Sequence, residues 1–598
     1  MSPEAGNGTS GVERPAGLPE DGPAGSYGSD AIVDLLREMD VRYVPLNPGS
    51  SFRGLHDSLV NHGGNRDPQL LLCLHEEIAV SLAHGYGKAT NDLAVAAVHD
   101  LVGLMHASMA VYDAFCDRTP VLVLGGSGPM DPAQRRPVDW THSATTQAQL
   151  VRDYVVWDAE PATPAASVAD VVRARQRALS APQGPAYVSL DAGVQEAELP
   201  APLELPDISL HAPAPPIGPD PTAVLRAAEL LAAAERPVVV AGRVGLDPRV
   251  TAPLVALVEL LGAGYRDDRN VVAFPTAHPQ NATGDKDLLR EADVVLAVDV
   301  VDLPALLAAQ SRGARDAQSE QPRTRPLVID LSHGDLGLRS WSNALAAPIE
   351  RSVQLLADPL LGLAQLTEAL RSCVDARAAT ARREAMCRRV AALKARQWAA
   401  VEERWDDSPI APSRLVAETW QAVREVDHLL CVRNTRTWPE GVWKFPGAGS
   451  YLGHSGGGGV GYGPGAFVGG ALAARDQGRL GVGIIGDGDL LMAAGALWTA
   501  VHYRIPMLVV VNDNSSFYND EPHQAEVARH RGRPPENSWI GMRMDDPLID
   551  FAGLARSYGC WASDTVTDPA RLGPALEEAL ARAQAGAVAV VHVRTAPR

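Results

Sequence analysis

Lysine is nearly missing from this chain: Lys88, Lys286, Lys394 and Lys444 are the only four in 598 residues. None stands in a recognisable Schiff-base context, which argues against pyridoxal chemistry. The six cysteines (Cys73, Cys116, Cys373, Cys387, Cys431, Cys560) lie far apart with no CxxC. Neither a disulfide framework nor a zinc knuckle follows from that spacing, and a reducing, cytoplasmic setting is expected. No run approaches the roughly 20 consecutive apolar residues a membrane helix needs. The opening MSPEAGNGTSGVERPAGLPEDGPAGS lacks the basic-then-apolar order of a signal peptide, and its Gly, Pro and acid content predicts a disordered tail over 1–28. Positive charge is also short. A net charge of −19 disfavours nucleic acid and anionic membranes as partners, and the acid is dispersed, as solubility requires.

What is present is α/β patterning, in a length that suits about three or four domains of roughly 100–200 residues. Residues 29–201 alternate helix-like stretches (AIVDLLREMD, EEIAVSLAHGYGKAT) with short β-rich runs (LAVAAVH, PVLVLGG, AYVSL). Residues 202–220 are Pro-dense and read as a linker. Residues 221–370 repeat the rhythm, 371–412 form a charged Ala/Arg-rich helical connector, and 413–598 make a third block ending in AVAVVHVR. The predicted class is α/β, three doubly wound parallel-sheet domains.

The densest chemistry lies in GRLGVGIIGDGDLLMAAGALWTAVHYRIPMLVVVNDN. LGVGII and PMLVVV read as strands, and DLLMAAGALWTAVHYR as one helix between them. If the strands are neighbours, their ends lie about 4.8 Å apart. Asp487 and Asn514 then offer a carboxylate and an amide oxygen to one hard cation such as Mg²⁺. Gly486 and Gly488 allow close approach of a phosphate, and the helix beginning near Asp489 presents its first amides to it. GYGKAT lacks the Ser or Thr after Lys that a P-loop needs, and HEEIAVSLAH misses the HExxH spacing.

GDG with Asn514 following Asp487 by 27 positions resembles the signature of thiamine-diphosphate enzymes. Over about residues 29–598 the chain is similar to the acetohydroxyacid synthase, benzoylformate decarboxylase and related 2-oxo acid group. The resemblance implies pyrimidine-binding, central and diphosphate-binding domains. It implies that Asp487, Asn514 and the Ser516 carbonyl bind Mg²⁺, while Asp489 stands where many relatives carry Ser or Ala. LHEEIAVSLAHGYGKAT matches the family pattern of Glu followed nine positions later by Gly-Tyr, which selects Glu76 over Glu77 as the acid against the pyrimidine. That acid favours the imino tautomer, whose nitrogen takes the thiazolium C2 proton. SGGGGVGYGPG resembles the loop that bends the cofactor, with Val460 as wedge and the Gly458 carbonyl accepting from the 4′-amino group.

On the substrate side, NPGSSF resembles the benzoylformate decarboxylase loop whose serine touches the substrate carboxylate, here Ser50, although an ordinary Pro-Gly turn fits equally. His99 aligns with a proton-relaying histidine, and His106 stands where relatives often have Asn. The adjacent histidine pair of pyruvate decarboxylases is absent. The segment 518–539 is too polar for core and reads as a lid or a solvated insertion.

The expected function is a decarboxylative carboligase joining a 2-oxo acid, pyruvate first, to a carbonyl acceptor. A simple 2-oxo acid decarboxylase is the near alternative, and a ring-opening hydrolase or a non-catalytic cofactor-binding protein stands further off. Family sites combine Glu76 of one subunit with Asp487 of another, so a homodimer or homotetramer is expected. AGRVG (241–245) leaves FAD in the central domain open.

Overall fold

The computed structural model describes residues 13–18, 26–268, 272–312, 325–334, 336, 350–433 and 438–596. Most of the expected disordered tail lies outside the described residues. Its described parts are docked: the Asn65 side chain donates to the Glu13 carbonyl at 2.8 Å, and Ser26–Tyr27 pairs antiparallel with Glu198–Leu199.

Three wholly parallel sheets follow. The first runs Gln69–Leu72, Tyr43–Leu46, Ala94–Val98, Val121–Ser127, Ala186–Asp191, Trp157–Ala159 in spatial order. The second runs Gly264–Asp267, Pro237–Ala241, Val294–Val298, Leu327–Ser332, Val353–Leu356. The third runs His428–Arg433, Leu480–Gly486, Met507–Asp513, Val588–Arg594, Trp561–Ala562. Their middle strands are near-continuous apolar runs because helices cover both faces, and Val121–Ser127 and Met507–Asp513 are buried throughout. The connector is a single helix, Ala376–Glu402, burying only Ala379, Val390, Leu393 and Val401. Among the described residues no helix is long and apolar enough to cross a membrane.

Leu480–Gly486 and Met507–Asp513 are hydrogen-bonded neighbours, with Gly486 opposite Asn512, as the motif reading requires. The helix expected between them is instead two, Asp487–Met492 and Gly495–His502. The first is tied by Asp489 to the Gly461 amide at 2.6 Å, while the second lies against Leu74 and Ile78 of the first domain at Gly495. Two anchors in different directions break the helix at Ala493, whose φ is −139°.

One contact positions the site. The helix Glu76–Thr90 lies parallel to the helix Tyr462–Asp476, residue pairs advancing together from Ile78 and Ser81 at Gly465, through Leu82 at Gly469, to Ala89 at Gln477. Glycine makes this approach possible. A Cβ on Gly469 would stand 2.8 Å from the Tyr86 nitrogen and closer still to the Leu82 carbonyl oxygen.

Candidate cofactor and catalytic site

Asp487 and Asn514 close the ends of their two strands, and their side-chain oxygens converge. Asp487 Oδ2 accepts from the Ser516 amide at 3.3 Å and Asn514 Oδ1 accepts from the same amide at 3.0 Å. Asp487 Oδ1 accepts from the Gly488 amide at 2.9 Å. Burial raises the Asp487 carboxyl above its usual range, and the neighbouring Asp513 carboxylate raises it further. Burial opposes the opposite trend in Asp513, but His592 (2.7 Å) and Arg594 (2.8 Å) hold that carboxyl low. A buried carboxylate that meets a backbone amide at each oxygen, beside an amide oxygen, is a donor set that fits a hard cation. The Ser516 hydroxyl donates to Glu521 at 2.5 Å. Gly486 ends its strand with ordinary extended geometry, and a side chain at Gly488 would overlap the Phe517 ring.

Asp489 turns away from this oxygen pair. By accepting from Gly461 it caps the helix Tyr462–Asp476 and joins the diphosphate motif to the glycine loop. That loop is held from the first domain: Asp113 Oδ1 accepts from the Ser455 hydroxyl at 2.5 Å and from the Gly457 amide at 3.0 Å. Burial pushes the Asp113 carboxyl up to about 7. Behind it Lys88 Nζ donates to Asp117 at 2.7 Å and to the His454 carbonyl at 3.1 Å. Gly458 has φ +71° with open space beside it, and Val460 is 47% exposed at the loop tip.

Glu76 opens its helix with His75 as the capping residue and is 6% exposed. His106 Nδ1 lies 3.1 Å from Glu76 Oε2, and its ring stacks on His75 at 4.8 Å. Gly103 leaves room for this carboxylate, since a Cβ there would sit 3.1 Å from Glu76 Oε1. Glu77 faces the loop: burial raises its carboxyl, and Asp489 raises it further.

On the substrate side Ser51, the neighbour of Ser50, meets His99, with Oγ 2.9 Å from Nδ1. Ser50 is exposed and receives a hydrogen bond from Arg136 at 3.3 Å. His99 is half-buried, and burial lowers its pKa, with His142 and Arg136 adding to that against the opposing pull of Glu76. His142 stands edge-on to His99 at 5.5 Å, a second imidazole that no sequence neighbourhood announces. The neighbouring Asp100 is raised to about 6 by burial.

Within the chain the Glu76 helix packs on the helix Tyr462–Asp476, which the glycines at 465 and 469 admit. The segment 518–539 contains a largely exposed helix, Asp520–His530. Residues missed from sequence are His75, Ser51, Arg136, His142, Asp113 and the Lys88–Asp117 pair. Only His75, adjacent to Glu76 at a capping position, left a local signal.

Comparison with known proteins matches residues 27–150 to the N-terminal TPP binding domain of thiamine pyrophosphate enzymes and residues 434–593 to their C-terminal TPP binding domain. A probable acetolactate synthase large subunit of Methanocaldococcus jannaschii is 23% identical over 92% of this chain and 90% of its own length. The benzoylformate decarboxylase of Pseudomonas aeruginosa is 25% identical over 92% of this chain and 96% of its own. Among solved structures, a putative thiamin diphosphate-dependent enzyme from Mycobacterium smegmatis superimposes with a TM-score of 0.72 at 22% identity, covering 96% of this chain and 100% of that one.

Proposed function

Since it carries both binding domains of the thiamine pyrophosphate enzymes, the chain belongs to that family, and we propose that it decarboxylates a 2-oxo acid and passes the acyl unit to a carbonyl acceptor, with pyruvate as donor. The observation that supports a working site is the meeting, in one chain, of the Asp487–Asn514 oxygens, the glycine loop and the Glu76 helix. Thiamine diphosphate, when bound, supplies a carbon nucleophile and an electron sink for loss of the carboxylate.

In this reading Asp487, Asn514 and the Ser516 carbonyl hold Mg²⁺. Gly486 and Gly488 let the diphosphate approach, and Asp489 fixes the loop that carries Gly458 and Val460. Glu76 holds a proton at its carboxylate toward the pyrimidine, and His106 fixes that carboxylate's orientation. Ser51 orients His99 through Nδ1, which leaves Nε2 to move protons on the substrate side. Arg136, through Ser50, brings positive charge to a substrate carboxylate.

A second reading, release of the free aldehyde, draws support from His142. Together with His99 it offers two imidazoles for protonation, although the sequence has no adjacent pair. Product analysis with pyruvate and with benzoylformate, each with and without aldehyde or ketone acceptors, decides between them. Acyloins support carboligation; free aldehyde as sole product in every mixture supports the second reading. We further propose that the active species is a homodimer or homotetramer, which sedimentation of the active protein tests.

A further inference from the structure

The Glu76 carboxylate is flanked by two imidazoles, of which the proposed reaction uses only His106, and that only to orient the carboxylate. One ligand-type atom from each of His75, Glu76 and His106 lies within 4.8 Å of the others, the only such cluster of three found among the described residues. His106 is mostly exposed, so the cluster opens to solvent. His75 is half-buried, and its Nδ1 accepts from the Glu77 amide at 3.2 Å, a hydrogen bond that an ion taken by that nitrogen would displace. Two imidazoles and a carboxylate are ligands that zinc-class ions take at about 2.0–2.2 Å, which sets neighbouring ligand atoms roughly 3.4 Å apart. His106 and Glu76 already stand at 3.1 Å, so the contraction that this spacing needs falls on the distances from His75.

We propose that in the cofactor-free chain His75, Glu76 and His106 take up one zinc-class divalent ion, and that this ion and the cofactor's aminopyrimidine exclude each other. Binding needs His106 Nδ1 without a proton, so a proton carried there toward Glu76 Oε2 passes to Nε2 or to solvent as the ion arrives. The exclusion follows because both occupants claim the same carboxylate. It rests on the reading of Glu76 as the pyrimidine's acid, whereas the ion site does not.

The test is calorimetric titration of zinc chloride into full-length, chelator-stripped apoprotein at pH 7. Wild type is expected to show an uptake whose affinity falls at least tenfold in His106→Ala and in His75→Asn; asparagine keeps a helix-capping side chain where the histidine now caps. Preloading with thiamine diphosphate and excess Mg²⁺ is expected to abolish the His106-dependent uptake. Equal zinc affinity in wild type and both variants overturns the ion site. A His106-dependent uptake that survives preloading overturns the exclusion, and with it the placement of the pyrimidine on Glu76, while the ion site stands.

Discussion

Gly469→Ala is the most direct probe of how the site is assembled. The added Cβ would lie 2.8 Å from both the Tyr86 nitrogen and the Leu82 carbonyl carbon, and closer to the Leu82 oxygen. All three are backbone atoms of the Glu76 helix, so no side chain can swing aside. Relief requires the two helices to separate by about 1 Å, at a cost of roughly 1–3 kcal/mol for overpacking. Because the helices carry Glu76 and the glycine loop at their first turns, the separation misplaces the acid relative to the diphosphate motif. A misplacement of about 1 Å costs on the order of 10²-fold in rate. The expected result is a roughly 100-fold loss of kcat/KM, a lower urea midpoint, and unchanged far-ultraviolet circular dichroism. Gly218→Ala, in the linker with its nearest atom 3.6 Å from the new Cβ, serves as the control and should behave as wild type. Wild-type kcat/KM in Gly469→Ala would refute the claim that this helix pair sets the site.

Asp487→Asn should weaken Mg²⁺-dependent cofactor binding at least 100-fold in calorimetry, while Glu76→Gln should bind cofactor normally and lose about 10²–10⁴-fold in kcat. Ser51→Ala should shift the lower limb of the kcat/KM pH profile by removing the Nδ1 partner of His99, whereas Ser50→Ala should chiefly raise KM. Lys88→Met leaves Asp117 buried without its cation and should cost about 3–5 kcal/mol in urea unfolding. The pH dependence runs in two directions. Asp117, held at about 2 by Lys88 and His84 against burial, contributes stability above the ordinary 3.8, lost as pH falls through 2. Asp113, raised to about 7, contributes stability below 3.8 that is lost as pH rises toward 7, and Asp113→Asn should flatten that second decline.

The convergence of Asp487 and Asn514 was readable from the sequence because both follow neighbouring strands of one short unit, where local pattern and spatial neighbourhood coincide. Glu76, which the register picks over Glu77, is buried and in contact with His106. What stayed hidden depends on one-residue orientation or on distant packing. Ser50 and Ser51 are chemically identical, and only the turn decides which faces His99. His142 reaches His99 from a four-residue helix across the domain, and Asp113 reaches the loop at 455–457 across more than 300 positions. The break at Ala493 lies in a run whose composition is helical throughout; tertiary anchors at Asp489 and Gly495 override it.

The parallel packing of Glu76–Thr90 on Tyr462–Asp476 has an electrostatic consequence. Two aligned macrodipoles, each about half an elementary charge at its positive end, bring those ends side by side. In this chain acids stand against those ends: Glu76 and Glu77 in the first turn of one helix, and Asp489 on the Gly461 amide that starts the other. The pairing of the first and third domains therefore rests on charge placed at its open end as well as on the glycines along its length.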